Sequence, residues 1–443
     1  MSAWQFNARR IVTQLSLFAF TWLTCVGLSQ AAEAKARPNV VLIISDDHAW
    51  NDYSFMGHPH IRTPHLDRLA TESVTFRRGY VPSSLCRASL MTIFTGLYPH
   101  QHRITSNDPP LVRGLNQKQS NAAPEFLAQR VAMSKFVQQV PTLARLLQQQ
   151  GYNSLQTGKW WEGSWQNGGF THGMSAGQRH GDAGLDIGRK TMQPVTDFID
   201  ESLRAEKPFL VWYAPMLPHS PHNPPERLLQ KYQSLAPTEA IAKYWACVDW
   251  FDETCGELLK SLDDRKLRDN TIVLYVADNG WLQDPAADRY AERSKQSPYE
   301  GGIRTPIMVR WPGKVAPRMS DELAQSMDLL PTILDAVGAS RPANLPGINL
   351  LDASQTAARS TLFGECFTHN AVDIETPAKS LKFRWIIEGQ TKLIVPEGSN
   401  VPDGKVELFD LASDPWEKQD LSASRSADVQ RLTQRLDQWW SGK

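Results

Sequence analysis

The stretch PNVVLIISDDHAWND, residues 38–52, decides the predicted fold because its apolar run is continuous instead of alternating with polar residues. Strands that are buried on both faces, as in a parallel sheet covered by helices, show this pattern. Three further runs share it, at residues 209–214, 271–277 and 306–311, and helix-like segments such as PTLARLLQQQG, residues 141–151, lie between them. We therefore predict an α/β fold in which helices sandwich a mainly parallel sheet.

Polar side chains follow two of these predicted strands. Asp46 and Asp47 come after the first strand, and Asp278 and Asn279 come after the strand at 271–277. Because ligands of such sheets bind beyond the carboxyl ends of the strands, we expect the four side chains to lie together. Three carboxylates and an amide suit a hard divalent cation such as Ca²⁺ or Mg²⁺. For each pair alone, strand-end capping and turn formation are the alternative.

Cys86 is placed where a turn meets a predicted helix. It follows the turn PSSL at residues 82–85 and precedes RASLMTIFTG, so it falls at or near a helix N-terminus. Backbone N–H groups at such a position attract anions, and we expect them to lower the pKa of the thiol. A plain cysteine buried in a core is the alternative.

The N-terminal residues predict export. Arg9 and Arg10 precede an apolar run at residues 11–28, and Ala31 and Ala32 follow as small residues at a cleavage position. This order is typical of a secretory signal peptide, which we place at residues 1–32, with an uncleaved anchor as the alternative. The mature chain is then expected to be periplasmic or secreted. It has no second apolar stretch long enough for a membrane span.

The charge balance argues against one class of partner. Lysine plus arginine total 47, and aspartate plus glutamate also total 47. No basic excess therefore points to nucleic acid, and we expect none as a partner.

Two domains are expected after the signal peptide. Pro342, Pro346 and Gly347 mark a linker, so we place a larger domain at residues 33–345 and a smaller C-terminal α+β domain at residues 346–443. In the smaller domain FRWIIEG, TKLIVP and VELFDL predict short strands, and a final helix follows them.

The segment that begins at Cys86, CRASLMTIFTGLYPH, resembles the signature of the type I sulfatases, a family of the alkaline-phosphatase-like superfamily. That signature has a cysteine in CxPSR or CxASR, followed by a TG pair. Other segments resemble the same family in the expected order: residues 38–52, RTPHLDRLATESVTF, TGKWWEG, APMLPHSP, ADNG, YEGGIRTPIMVRWPG and ELFDLASDPWEKQDL. The similarity extends over nearly the whole predicted mature chain.

The resemblance implies a sulfatase with an alkaline-phosphatase-like fold, one Ca²⁺ ion and a formylglycine nucleophile. Formylglycine-generating machinery would oxidise Cys86, and the hydrated aldehyde would attack sulfur. The residues that match the family's cation ligands are Asp46, Asp47, Cys86, Asp278 and Asn279. Those that match its other catalytic groups are Lys159 and Lys295, which would contact sulfate, and His219, which would protonate the leaving alcohol, with His222 as a competitor.

Two positions depart from the family pattern. Leu90 stands where the signature has arginine, and Trp161 stands where GKWH has histidine. In the common form those side chains hold and activate the nucleophile. The candidates to replace them are Arg87, His100, His102, His172 and His180.

The substrate is expected to be a sulfated small molecule or glycan. Two long irregular stretches, at residues 105–140 and 163–188, are candidate substrate loops, with flexible surface filler as the alternative. Two other functions remain open. One is a phosphoester hydrolase on the same fold, and the other is a catalytically silent binder of sulfated glycans.

Overall fold

A computed structural model describes residues 37–442, so the predicted signal peptide lies outside the described residues. Within them, one large sheet contains eight strands, among which are all four apolar runs. In chain order the strands are β1 (Asn39–Ser45), β2 (Val74–Tyr80), β3 (Asn153–Gly158), β4 (His172–Gly173), β5 (Phe209–Ala214), β6 (Thr271–Ala277), β7 (Arg304–Arg310) and β8 (Arg318–Gln325).

The strand order across this sheet is β4-β3-β5-β1-β6-β7-β2-β8. Only β7 runs antiparallel to its neighbours β6 and β2, and every other pair is parallel. Strand β1 explains the continuous apolar pattern, because Val40, Leu42 and Ile44 enter the core on one face and Val41 and Ile43 enter it on the other. The predicted mainly parallel α/β fold is confirmed.

Helices pack on both faces of the large sheet and complete the two cores. The helices of the described chain are α1 (Pro64–Thr71), α2 (Cys86–Thr95), α3 (Pro99–His102), α4 (Gln117–Ser120), α5 (Pro124–Ser134), α6 (Leu143–Gln148), α7 (Gln193–Arg204), α8 (Glu226–Tyr232), α9 (Glu239–Asp264), α10 (Glu300–Ile303), α11 (Leu329–Val337), α12 (Ala353–Ala358) and α13 (Ser426–Trp439). Helices α2, α5, α6 and α11 lie on one face of the large sheet, and α1, α7 and α9 lie on the other. None of the helices of the described chain is both long and apolar enough to cross a membrane.

A second, smaller sheet is antiparallel and has the order β12-β11-β10-β9. Its strands are β9 (Thr361–Phe367), β10 (Leu381–Glu388), β11 (Thr391–Pro396) and β12 (Glu407–Asp410). Helix α13 covers one face, where Leu432 and Leu436 pack against Ile386, Leu393 and Leu408.

The small sheet supports the turn that precedes Cys86. The carbonyl of Pro82 accepts hydrogen bonds from the indole Nε1 of Trp385 at 3.2 Å and from the backbone N–H of Glu365 at 2.9 Å. Both sheets belong to one compact unit. The domain boundary after residue 345 stays a prediction.

Candidate active site

The carboxyl ends of β1 and β6 carry the four predicted cation ligands. The two strands pair in register up to their last residues, so Asp46 and Asp47 lie beside Asp278 and Asn279. The backbone N–H of Asp47 donates to Asp278 Oδ1 at 3.0 Å, and the side-chain amide of Asn279 donates to Asp47 Oδ1 at 2.7 Å. Asp47 has a φ of 61°, a left-handed conformation that is uncommon outside glycine. The parallel sheet thus brings the two pairs together.

Cys86 is the first residue of α2, and its Sγ lies 3.8 Å from Asp47 Oδ1. One possible ligand atom from each of Asp46, Asp47, Cys86 and His219 lies within 4.8 Å of the others. The expected lowering of the thiol pKa is wrong. Burial raises the pKa of Cys86 to about 12, and this effect outweighs the opposing charges of Lys159 and Lys295. Unmodified Cys86 is therefore a neutral thiol.

Two buried lysines neutralise the aspartate pair. Lys159 Nζ lies 2.6 Å from Asp46 Oδ1, and Lys295 Nζ lies 2.6 Å from Asp47 Oδ1. Burial alone would lower the pKa of each ammonium group, but the neighbouring carboxylates raise both values above the usual range. The site therefore holds two fixed positive charges next to Cys86.

His219 faces the same cluster from the loop after β5. Its Nε2 lies 3.3 Å from Asp47 Oδ2, and its Nδ1–H donates to the carbonyl of Ser220 at 2.5 Å. Burial and the lysine charges hold the pKa of His219 well below its usual value. The competitor His222 instead pairs with Asp288, with Nδ1 2.6 Å from Oδ1. Of the two histidines, His219 is thus the one whose ring lies at the cluster.

The cluster has the donor set of an oxygen-ligated cation site. Within this cluster, three buried oxygens have no hydrogen-bond partner in the described part of the chain: Asp46 Oδ2, Asp278 Oδ2 and Asn279 Oδ1. An unsatisfied buried acceptor costs about 1–3 kcal/mol. Burial, together with repulsion between the carboxylates, raises the pKa of Asp46 and of Asp278. A hard divalent cation would satisfy all three oxygens, so the residues fit a calcium ion.

Comparison with known proteins places this geometry in a family. The family model described as Sulfatase matches residues 38–339. The chain belongs to the sulfatase family. A second model, N-sulphoglucosamine sulphohydrolase, C-terminal, matches residues 292–441 of the sulfatase. Both models agree with the resemblance seen in the sequence, and the protein is a sulfuric ester hydrolase.

Individual relatives support the same assignment. The sulfatase is 27% identical over 378 residues to N-acetylgalactosamine-6-sulfatase of Canis lupus familiaris, covering 75% of this chain and 68% of the relative. It is 28% identical over 372 residues to arylsulfatase A of Homo sapiens, and the alignment covers 72% of this chain and 68% of the relative. A solved sulfatase from Pseudoalteromonas sp. superposes with a TM-score of 0.68 at 18% identity, covering 92% of this chain and 90% of the other, which shows a shared fold.

Leu90 and Trp161, the two residues that depart from the family pattern, have different neighbours in this sulfatase. Leu90 is fully buried in the hydrophobic core. The ring of Trp161 contacts that of His180, with centroids 4.2 Å apart, and the ring of His180 lies 6.3 Å from that of His219. His180 is therefore a candidate replacement whose ring lies close to that of His219.

The other candidate replacements have partners elsewhere. His100 pairs with Glu365, His102 hydrogen-bonds Thr92, His172 pairs with Glu201 and Arg87 pairs with Glu162. The Arg87 pair is bidentate and fully buried, with both N–O distances 2.7 Å. The pair links Arg87, which follows Cys86, to Glu162, which follows Trp161. Sequence analysis missed Glu162, because 75 residues separate it from Arg87 and no local pattern indicates the contact.

Proposed function

We propose that this sulfatase hydrolyses sulfate esters of carbohydrates through a formylglycine derived from Cys86 and one bound Ca²⁺. One observation carries the proposal: Cys86, two charged lysines and three unpartnered buried oxygens converge beyond β1 and β6. Neither a core cysteine nor a strand-end turn requires that combination. The carbohydrate part is supported by the similarity to an N-acetylgalactosamine-6-sulfatase.

The proposed ligands of the cation are Asp46, Asp47, Asp278, Asn279 and the modified residue 86. Calcium there would draw charge from a sulfate oxygen and lower the pKa of the nucleophile. The formylglycine hydrate supplies the oxygen that attacks sulfur. Formylglycine-generating machinery would oxidise Cys86 to this residue. We also propose that the protein is exported to the periplasm or secreted.

The chain's own side chains hold the substrate and move the proton. Lys159 and Lys295 stay charged because each is bound to a buried carboxylate, so they can pair with sulfate oxygens without being reorganised. As the ester S–O bond breaks, the leaving oxygen needs a proton. The neutral His219 ring keeps its proton on Nδ1, so Nε2 would first take up the proton released by the attacking hydroxyl and then pass it to the leaving oxygen. The Ser220 carbonyl orients that ring through Nδ1.

The experiment that tests the proposal is peptide mass spectrometry of residue 86 in protein from the source cell. We expect the aldehyde or its hydrate, and we expect Cys86→Ala to lose sulfatase activity while it keeps the fold. Cys247→Ala is the matched control, because Cys247 is also a buried free thiol but lies in α9. Unmodified cysteine in fully active protein would refute the formylglycine mechanism.

A second candidate function, a silent binder of sulfated glycans, is favoured by two observations. Unmodified Cys86 is a neutral thiol, and Leu90 and Trp161 do not provide the usual arginine and histidine. In that case residue 86 would remain cysteine, the protein would be inactive, and sulfated oligosaccharides would still bind. The same mass spectrum, recorded together with an activity assay, separates the two functions.

The domain limits complete the proposal. We propose that residues 33–345 form the catalytic domain and residues 346–443 the smaller C-terminal domain, after a signal peptide at residues 1–32. The contacts of Trp385 and Glu365 with Pro82 support a role for the small domain in positioning the turn before Cys86.

A further inference from the structure

A cavity of about 290 Å³ opens beside the proposed active site. Its walls come from the two stretches proposed as substrate loops, with Leu127, Arg130 and Val131 on one side and Gly177, Gln178 and Arg179 on the other. The sequence predicts that the first stretch is irregular, but Leu127, Arg130 and Val131 lie on helix α5. Trp161 also lines it. Segments that lie far apart in the chain thus meet at one pocket.

Ring contacts connect this pocket to the proposed catalytic centre. Trp161 is two residues after Lys159, so their Cα atoms are at most about 7 Å apart. The ring of Trp161 also contacts His180, which lies next to His219. A sugar whose sulfate lies at Cys86 would therefore extend towards this pocket.

Two arginines of the pocket share one carboxylate. Arg130 and Arg179 both bind Asp108, at distances of 3.0 Å and 2.8 Å. The carboxylate of Asp182, at the opposite wall, balances the second positive charge, so the guanidinium N–H groups, and not an excess of charge, would bind an anion. The side chains of Arg130 and Arg179 are 18% and 31% exposed, so a ligand can reach them.

Two N–H groups at the pocket lack an acceptor among the described residues. They are the indole Nε1 of Trp161, a residue that is 6% exposed, and Nε of Arg130. Both atoms are shielded from solvent, so Trp161 faces the pocket with other atoms of its ring and Arg130 with the exposed end of its guanidinium group. The guanidinium carbon of Arg179 lies 4.5 Å from the centroid of the Trp161 ring. This cation–π contact holds the Arg179 side chain at the pocket wall.

The glycine-containing wall is held in place by a carboxylate. Asp182 accepts hydrogen bonds from the backbone N–H groups of Ala176, Gly177 and Gln178 at 2.7–3.1 Å. Because these bonds fix the turn next to Arg179, the pocket is formed before any ligand enters. Leu127 and Val131 are 43% and 57% exposed and offer an apolar surface to a sugar ring.

From this arrangement we infer that the pocket binds a second anionic group of the substrate, through Arg130, Arg179 and Trp161. The inference deepens the proposed function and rests on it: the preferred substrate is a glycan with two negative groups, of which the one at Cys86 is hydrolysed. The second group is a sulfate or a carboxylate, since a guanidinium group binds both in the same geometry.

The test compares three substrates with the mature enzyme. They are a monosulfated hexosamine, the same hexosamine with a second sulfate, and a monosulfated disaccharide whose second sugar is a uronic acid. We expect kcat/KM to be highest for one of the doubly charged substrates, and which of the two it is identifies the group. For that substrate, Arg179→Gln should lower kcat/KM about 10-fold to 100-fold. Arg179 Nη1 also donates to His180 Nε2 at 2.7 Å, so a smaller loss is expected on the singly charged substrate as well. Arg130→Gln leaves that contact in place and should lower kcat/KM only for the doubly charged substrate.

The control variant is Arg341→Gln. Arg341 is also 31% exposed and also bound to an aspartate, Asp335, but it lies outside the pocket. Mass spectrometry of residue 86 in each variant ensures that equally matured proteins are compared. Equal losses on all three substrates, or no loss in Arg179→Gln, would overturn the inference.

Calorimetric titration of the same ligands separates this inference from the proposed function. Hydrolysis without any preference for a second charge would refute the inference and leave the proposed function standing. Binding that needs the second charge and Arg179, in a protein that hydrolyses nothing, would refute the proposed function and leave the pocket assignment standing. The absence of both hydrolysis and binding would refute both.

Discussion

Lys295 spans both carboxylate oxygens of Asp47, with Nζ 2.6 Å from Oδ1 and 2.7 Å from Oδ2. Asp47 Oδ1 also accepts one hydrogen bond from the side-chain amide of Asn279, and the carboxylate lies against His219 and Cys86. This single carboxylate therefore links the cation site, the proposed nucleophile and the proposed acid.

Lys295→Ala removes the closest cation of Asp47 and one of the two charges proposed to bind sulfate. We expect kcat for a sulfate ester to fall about 100-fold to 1,000-fold, as when one preorganised donor is lost from a transition state. The control is Lys243→Ala, because Lys243 pairs with Glu239 on the surface of α9. Equal activity in the two variants would contradict the proposed role of Lys295.

Removal of the cation should destabilise the protein, because it leaves three buried oxygens without partners. We expect a chelator to lower the Tm and added Ca²⁺ to restore it. Asp278→Ala should have the Tm of the chelated protein and should not respond to the chelator. Asp321→Ala, at an exposed aspartate, is the control. A wild-type Tm and activity that the chelator leaves unchanged would show that the cation assignment is wrong.

His180→Ala tests whether His180 compensates for the histidine missing at Trp161. Because His180 lies between Trp161 and His219, we expect kcat to fall about 10-fold to 100-fold with little change in KM. His172→Ala is the control, since His172 is on the same long segment but pairs with Glu201. Steady-state kinetics on one sulfate ester measures both variants. A similar kcat in both would remove His180 from the site.

The Arg87–Glu162 pair should behave as a buried ion pair. Arg87→Met leaves an uncompensated buried carboxylate and should lower the free energy of unfolding by about 3–5 kcal/mol. The double variant with Glu162→Met removes both charges, and we expect it to be more stable than Arg87→Met alone. Urea denaturation measures both. On the surface, Arg227 forms a similar bidentate pair with Glu253, and Arg227→Met should cost about 1 kcal/mol or less.

Asp252 should make stability depend on pH. Burial raises its pKa to about 8, while its carboxyl group accepts the N–H groups of His65 and Leu66 at the start of α1. The folded state therefore keeps a proton that the unfolded state loses near pH 4. The contribution of Asp252 to the free energy of unfolding is therefore fully present below about pH 4, and it is lost as the pH rises towards 8. In Asp252→Asn that part of the pH dependence of Tm should disappear, and an unchanged profile would contradict the assignment.

The sequence by itself determined the class of fold and the two polar strand ends. A strand buried on both faces requires an unbroken apolar run, and the runs of β1 and β6 show it directly. Parallel strands place their carboxyl ends at one edge, so the positions of Asp46, Asp47, Asp278 and Asn279 followed from strand direction alone. The family motifs added Lys159, Lys295 and His219, each of which lies at the cluster.

Only the tertiary structure decided what surrounds those residues. The pKa of Cys86 depends on burial by segments far away in the chain, so the local helix start predicted its direction wrongly. The choice of His180 over His100, His102 and His172 likewise depends on which loop packs against Trp161. The charged pocket is formed by side chains from two separate stretches that share Asp108. Such long-range contacts leave no periodic pattern in the sequence, because packing and charge pairing act between residues that are neighbours only after folding.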